Sequence, residues 1–268
     1  MHWHKTFSSN PYGQNAAGNY ATSTPAADEF GVVVTWTSPA GIVMLALDPE
    51  GHQMWRRELG DYIGLNGSGT SPIIVDDVVI LTNDQDDGVL LSRLSGNENP
   101  DAPMGTSSIL ALDRNRGVNR WELSREAALA AYSTPCLHTR HDGRRELILT
   151  STAHGITGVD LTSGQVNWEV RDIFTDRCVG SPVMAGELVI ATYGHGTKGD
   201  ICVAARAGLS GIGDESTLAY EITKGVPLVP PPLVVNGLLF CIPVVGRWRG
   251  DLLECRQWRI ALAAASRW

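Results

Sequence analysis

The chain has 268 residues, 43% of them hydrophobic and 19% charged, enough apolar material for a packed core and too much for wholesale disorder. A net charge of −8 and a pI near 5.3 argue against the basic face that duplex nucleic acid requires. No apolar run reaches the ~18 residues of a membrane span, and the start, Met1-His2-Trp3-His4-Lys5, lacks the apolar core of a secretion signal. The 29 Gly and 14 Pro exceed the roughly 12% share usual in soluble domains, which predicts many turns between short strands.

In chain order, Trp3-His4-Lys5-Thr6-Phe7 reads as the last strand of a repeat unit, because it resembles Trp55-Arg56-Arg57-Glu58-Leu59. Pro25, Pro72, Pro135, Pro182 and Pro232 then each precede a short apolar run, and Ser71, Thr134 or Ser181 stands just before three of them. The Pro intervals are 47, 63, 47 and 50 residues. A polar insertion at about 84–107 accounts for the long one. In phase with the prolines comes a second element: Ala46-Leu47-Asp48 with Gly51 and Trp55, Ala111-Leu112-Asp113 with Gly117 and Trp121, and Gly158-Val159-Asp160 with Gly164 and Trp168. Each reads as strand, tight turn, strand. The Asp side chain starts the turn, the Gly supplies its positive φ, and the Trp falls at a fixed depth on the returning strand. In the fourth unit the Asp is missing, Tyr220 stands where the Trp is expected, and residues 207–216 form a Gly-rich surface loop.

A unit of roughly 47–50 residues with four short strands is the pattern of a propeller blade. The reading is therefore all-β: a β-propeller, incomplete, with four full four-stranded blades at about 24–59, 71–124, 133–171 and 181–223, and a partial blade at 231–245. The Trp3 strand is assigned to a preceding blade. Residues 246–268 depart from the pattern, with five Arg against two acidic residues and three of the eight Trp. A shifted reading frame, or a C-terminal amphipathic helix, accounts for such a tail.

The Ala-x-Asp-x-x-x-Gly-x-x-x-Trp element at 111–121, nearly repeated at 46–55 and 158–168, resembles the repeat of the pyrroloquinoline-quinone-like (PQQ-like) propellers over about residues 3–245. That family includes quinoprotein alcohol dehydrogenases and the outer-membrane assembly factor BamB. The resemblance implies that Trp55, Trp121 and Trp168 wedge between neighbouring blades, each burying ~150–250 Å². It also implies a rigid surface for a protein or peptide partner, of BamB-like character, in a bacterial cell envelope. Two other readings stay open: a fragment of a PQQ-dependent oxidoreductase, and an accessory or sensor domain of a larger multidomain protein.

Chemistry needs particular residues at particular spacings, and such patterns are weak here. A quinoprotein dehydrogenase is expected to bring a calcium ion, a catalytic Asp and an adjacent Cys pair. Here Cys136, Cys178, Cys202, Cys241 and Cys255 stand far apart and read as small buried hydrophobes. Asn83-Asp84-Gln85-Asp86-Asp87-Gly88 fails the EF-hand template, since Leu94 stands where its last ligand, Glu, belongs, and reads as a solvated acidic turn. Ser151, His154 and Asp160 give no reason to converge as a triad. His138, Arg140, His141, Asp142 and Gly143 read as a polar turn, and Thr175-Asp176-Arg177-Cys178 as a local tether in a blade connection. Gly194-His195-Gly196-Thr197-Lys198-Gly199 lacks the Walker spacing and reads as a hairpin. The Arg-Trp clusters Arg247-Trp248-Arg249 and Gln257-Trp258-Arg259 suit cation–π binding to RNA or lipid, against which the acidic body argues. No catalytic, cofactor-binding or metal-binding residue is assigned.

Overall fold

The protein is described from a computed structural model, over residues 3–10, 23–194, 200–241 and 256–259. It divides into two compact units, 1–134 and 135–268.

The first unit holds two antiparallel sheets. One runs β1 (Ala26–Asp28), β2 (Gly31–Ser38), β3 (Gly41–Leu47), β4 (Gln53–Glu58). The other runs β5 (Ile73–Val75), β6 (Val78–Asn83), β7 (Ser107–Asp113), β8 (Asn119–Arg125), with helix α1 (Gly88–Leu94) between β6 and β7. Strands β1 and β5 meet at the inner side. The core lies between the sheets, where Val33, Met44 and Trp55 pack on Val79, Leu81, Leu110 and Leu112.

The second unit holds three sheets. The first comprises β9 (Cys136–Thr139), β10 (Arg145–Ser151), β11 (Gly155–Asp160) and β12 (Val166–Val170); the next has β13 (Val183–Ala185), β14 (Leu188–Gly194) and β15 (Asp200–Arg206). The Gly-rich stretch after β15 forms β16 (Gly211–Gly213), which pairs in parallel with β12 and covers the edge of that sheet. β17 (Leu218–Ile222) then returns as the fourth strand beside β15. The last sheet has three strands, β18 (Leu233–Val235), β19 (Leu238–Cys241) and β20 (Arg256–Arg259). Cys202 and Cys241 lie in the core between the last two sheets, with Leu188, Ile190 and Leu239. β20 thus takes four residues of the off-pattern tail into a ladder with β19. The rest of that tail lies outside the described residues.

The repeat is exact at the level of register. Ala46 pairs with Trp55, Ala111 with Trp121, Gly158 with Trp168 and Ala204 with Tyr220, and in each of these four sheets a β-bulge follows at once. The aromatic residues therefore stand at one depth. The Asp turns form as their chemistry dictates. Asp113 Oδ1 accepts the amides of Asn115 and Arg116 at 3.1 and 3.0 Å, and Asp160 Oδ1 those of Thr162 and Ser163 at 3.0 and 2.8 Å. Within the first unit the residues before the prolines bond one another: the Thr24 amide donates to Ser71 Oγ at 2.9 Å, and the Ser71 amide to Thr134 Oγ1 at 3.4 Å.

In the first unit Trp55 wedges between sheets as expected. Its ring lies over Gly117, where a Cβ would stand 2.6 Å from the indole, and its Nε1–H donates to the Arg114 carbonyl at 2.9 Å. The Arg114 guanidinium is buried and reaches back to β1, with Nε and Nη2 donating to the two Asp28 oxygens at 2.9 and 2.7 Å. That guanidinium holds the Asp28 carboxyl below the usual carboxylate range, against the opposing effect of burial. Trp168 is used otherwise. Its ring lies over Gly158 of its own sheet, and its Nε1–H donates to Glu146 Oε2 at 3.2 Å.

Candidate functional site

In each of the first four sheets the connection from the second strand to the third, and the exit from the fourth, leave at the same end. In the first unit that end is built around Asp86. Its amide donates to the Ile63 carbonyl at 2.8 Å, and its Oδ1 and Oδ2 accept the amides of Ala130 at 2.6 Å and Leu65 at 2.7 Å. Its carbonyl accepts the Gly105 amide at 3.0 Å. One side chain and its backbone thus fasten three loops: the exit of the first sheet, the insertion, and the exit of the second sheet. The neighbours extend the clamp. Gln85 Oε1 accepts the Ile63 amide at 3.0 Å, while its Nε2 donates to Asp61 and Thr106 carbonyls. Asp87 is the N-cap of α1, its Oδ1 accepting the Val89 and Leu90 amides. Asp84 accepts from Ser107 Oγ at 3.1 Å and the Ala131 amide at 3.0 Å. Burial pushes the Asp84 carboxyl up to about 6, outweighing those two donors.

The acidic turn is therefore not solvated, as expected from its composition. Asn83, Gln85 and Asp86 are buried, because loop amides from 63–65 and 130–131 need acceptors that only this segment supplies. On the fastened loops stand exposed apolar side chains. Leu65 is 55% exposed and Met104 62%, and Leu94 at the end of α1 is exposed as well.

In the second unit the same end carries His154, Glu169 and Arg171. Glu169 is buried. Its Oε2 accepts Arg171 Nε at 2.5 Å, its Oε1 accepts Thr157 Oγ1 at 3.3 Å, and His154 Nδ1 lies 3.4 Å from Oε1. His154 thus faces Glu169. Ser151 Oγ accepts only the His154 backbone amide, and Asp160 lies in the turn at the opposite end, so these residues form no triad. In 175–178, Asp176 Oδ1 accepts the amide of Arg177, and its carbonyl accepts Thr152 Oγ1 at 3.2 Å. The segment is thus tied to the β10–β11 connection through its backbone, where the sequence suggested an Asp–Arg pair.

The opposite end of the second unit holds a second buried carboxylate, which the sequence reading missed. Glu146 Oε1 accepts Arg140 Nη1 at 2.8 Å and Asn167 Nδ2 at 2.7 Å, beside the Trp168 bond to Oε2. Burial opposes its ionisation, yet Arg140, Trp168 and Asn167 together hold its carboxyl below the usual range. His138 is the buried residue of β9, 3.7 Å from both Glu146 and Glu187, while 140–143 form the expected polar turn. Cys178, Cys202 and Cys241 are buried, and burial pushes the Cys136 and Cys202 thiols up to about 12. Residues 195–199 of the Gly-rich stretch, 247–249 and Cys255 lie outside the described residues. Among the described residues no group of three or more His, Cys, Asp or Glu is placed to hold a metal ion, and no helix is long and apolar enough to cross a membrane.

A family model described as outer membrane protein assembly factor BamB matches residues 101–226. No curated protein matches the chain. Among solved structures, quinohemoprotein alcohol dehydrogenase from Comamonas testosteroni is similar at 12% identity over 82% of this chain and 49% of its own, with a TM-score of 0.59. The chain thus spans about half the length of that enzyme. BamB from Moraxella catarrhalis is similar at 15% identity over 85% of this chain and 81% of its own, with a TM-score of 0.44. The fold is a β-propeller, incomplete, with four full blades and a partial one, and residues 101–226 resemble the PQQ-like repeats of BamB.

Proposed function

We propose that this protein is a non-catalytic binding scaffold whose first unit presents apolar side chains on fixed loops to an extended segment of a protein partner. The observation that carries this reading is the Asp86 clamp. A buried carboxylate that binds the amides of Leu65 and Ala130, with a carbonyl that binds the Gly105 amide, holds Leu65 and Met104 in place before any partner arrives. Ordering loops in advance lowers the entropy lost on binding. The description of the matched family as an assembly factor accords with such a role.

Neither of the buried carboxylates Asp86, in the first unit, and Glu169, in the second, fits a calcium-held quinone. Both Asp86 oxygens accept backbone amides, and the Glu169 oxygens accept Thr157 and Arg171. The described cysteines sit on strands β9, β15 and β19 and in the connection at 178, so the expected adjacent pair is absent from the sequence as well.

The test is selection from a displayed library of short random peptides, followed by binding of the selected peptides to a Leu65→Glu, Met104→Glu double variant. Both side chains are exposed, so folding should be unchanged. Apolar peptides that bind the native protein and lose at least tenfold in affinity for the variant support the reading. No enrichment, or equal affinity for both proteins, would refute it.

A further inference from the structure

The clamp in the first unit contains two carboxylates from one short segment. Asp86 Oδ1 accepts the Ala130 amide at 2.6 Å, and Asp84 Oδ2 accepts the next amide, Ala131, at 3.0 Å. Consecutive amides at the exit of the second sheet are thus held by consecutive acids, and Ala130 and Ala131 are buried. Burial, and to a smaller degree the Asp86 charge, disfavours a charge on Asp84, while Arg125 at the end of β8 favours it.

Ser107, the first residue of β7, links Asp84 to the rest of the clamp. Its Oγ accepts the Gln85 amide at 2.9 Å and has a single proton to give. Two acceptors stand within reach of that proton: Asp84 Oδ1 at 3.1 Å and the Gln85 carbonyl at 3.4 Å. Ionised Asp84 takes it. Once Oδ1 carries a proton of its own, it becomes the donor to Ser107 Oγ, and the hydroxyl turns to the Gln85 carbonyl. Oδ2 keeps the Ala131 amide in both states, and the one proton gained comes from solvent. Gln85 is itself a tie of the clamp, since its Oε1 accepts the Ile63 amide at 3.0 Å.

We propose that Asp84 and Ser107 form a proton-operated relay that regulates the clamp, closing the loops that carry Leu65 and Met104 in acid and loosening them as the pH rises. Its consequence for binding rests on the scaffold reading above. Release of 130–131 lets water reach Asp84 and returns its carboxyl from about 6 toward the ordinary value of roughly 3.9. The closed form therefore binds the proton more tightly than the open one, and by linkage acid favours closure. The effect is full below the ordinary value and is lost as pH rises through about 6.

Hydrogen exchange of the native full chain and of Asp84→Asn, followed by NMR at about pH 5 and about pH 7.5 and corrected for the intrinsic pH dependence of exchange, tests this. The variant's side-chain amide accepts from Ala131 and donates to Ser107 as the protonated carboxyl does, and it does not titrate. In the native chain, protection of the Ala130 and Ala131 amides should fall about three- to tenfold between the two pH values, while the variant keeps its protection. Ladder amides of β3 are the reference. The selected peptides should lose affinity for the native chain over the same range and not for the variant. Native protection that changes by less than about twofold, or that falls equally in β3 or in the variant, overturns the proposal. So does peptide affinity that holds steady where protection falls. Peptides that bind at neither pH would sink the scaffold reading alone, because exchange at 130–131 needs no partner and still decides the relay.

Discussion

Trp55 and Trp168 each stand opposite the residue that precedes the bulge of their sheet, and both sit on the turn pattern Asp, Gly, Trp. Trp55 reaches out of its sheet to a glycine and a carbonyl of the next turn, whereas Trp168 lies over Gly158 and bonds Glu146 within its own sheet. The receiving side decides the difference. The turn facing Trp55 has Gly117 at a positive φ of 66°, which leaves a flat floor for the ring. The repeat after Trp168 has lost the Asp turn, and Arg206 and Ala207 stand where Asp48 and Pro49 stand in the first repeat. Where the other repeats place Ala46 and Ala111, this one has Gly158, which opens room for the indole at home. An aromatic wedge is thus a two-part device, and the glycine that receives it decides which sheets it joins.

The strongest way to break the comparison is Trp55→Ala. The change empties a buried site between two sheets and leaves the Arg114 carbonyl without its indole donor, so unfolding free energy should fall by about 3–5 kcal/mol. Denaturant unfolding of the native and variant chains measures it. A loss below about 1 kcal/mol would mean that the ring is not what joins the sheets.

Glu146→Gln tests the other half. The variant keeps an oxygen for Asn167 but removes the charge that faces Arg140 and turns an acceptor for Trp168 into an amide. The expected cost is about 1–3 kcal/mol, with a shift in Trp168 emission as its solvent exposure changes. The sign with pH follows from the lowered folded-state value. The native advantage is present above the unfolded value of roughly 4.3 and is lost as pH falls through the depressed folded value. The gap between native and variant should therefore be widest near neutrality and close in acid. A gap independent of pH would remove the carboxylate charge from the account.

What could be read in advance, and what could not, divides by range. The strand–turn–strand spacing fixes Trp depth because side chains alternate with period two and the Asp and Gly set the turn. Its three copies, in phase with the prolines, made the all-β repeat legible. The Asp86 clamp was not legible: its partners at 65 and 130 lie far along the chain, and a polar hexapeptide rich in Asp looks the same whether water or loop amides satisfy it. The Asp28–Arg114 pair spans 86 residues and left no local trace either. One signal was present and unread. Gly158 breaks the Ala that the other repeats show at that place, and the exception marks the Trp that turns inward. The pairing of β16 with β12 also escaped, since three residues of a Gly-rich loop carry no alternation.

The smallest expected effect sets the carboxylates of Glu146 and Asp84 against each other. Glu146 has a guanidinium, an amide and an indole around it, and its carboxyl is held low. Asp84 has a hydroxyl and one backbone amide, and burial pushes it up to about 6. Its unfolded value is roughly 3.9, so the folded state binds a proton more tightly than the unfolded chain. Its contribution to stability is then full below the unfolded value and is lost as pH rises through about 6. A tenfold difference in proton affinity is worth roughly 1.4 kcal/mol. Cut by solvent screening of a half-buried group, the loss comes to about 1–2 kcal/mol. Asp84→Asn, which carries no titrating proton, should gain on the native chain as pH rises from about 4 to about 6, and the difference should be flat above that. Unfolding curves for the pair across this range measure the slope. Were the difference flat, or to run the way of Glu146, Asp84 would be ionised in the folded protein and its desolvation offset by a cation, and the contrast between the two ends would fail.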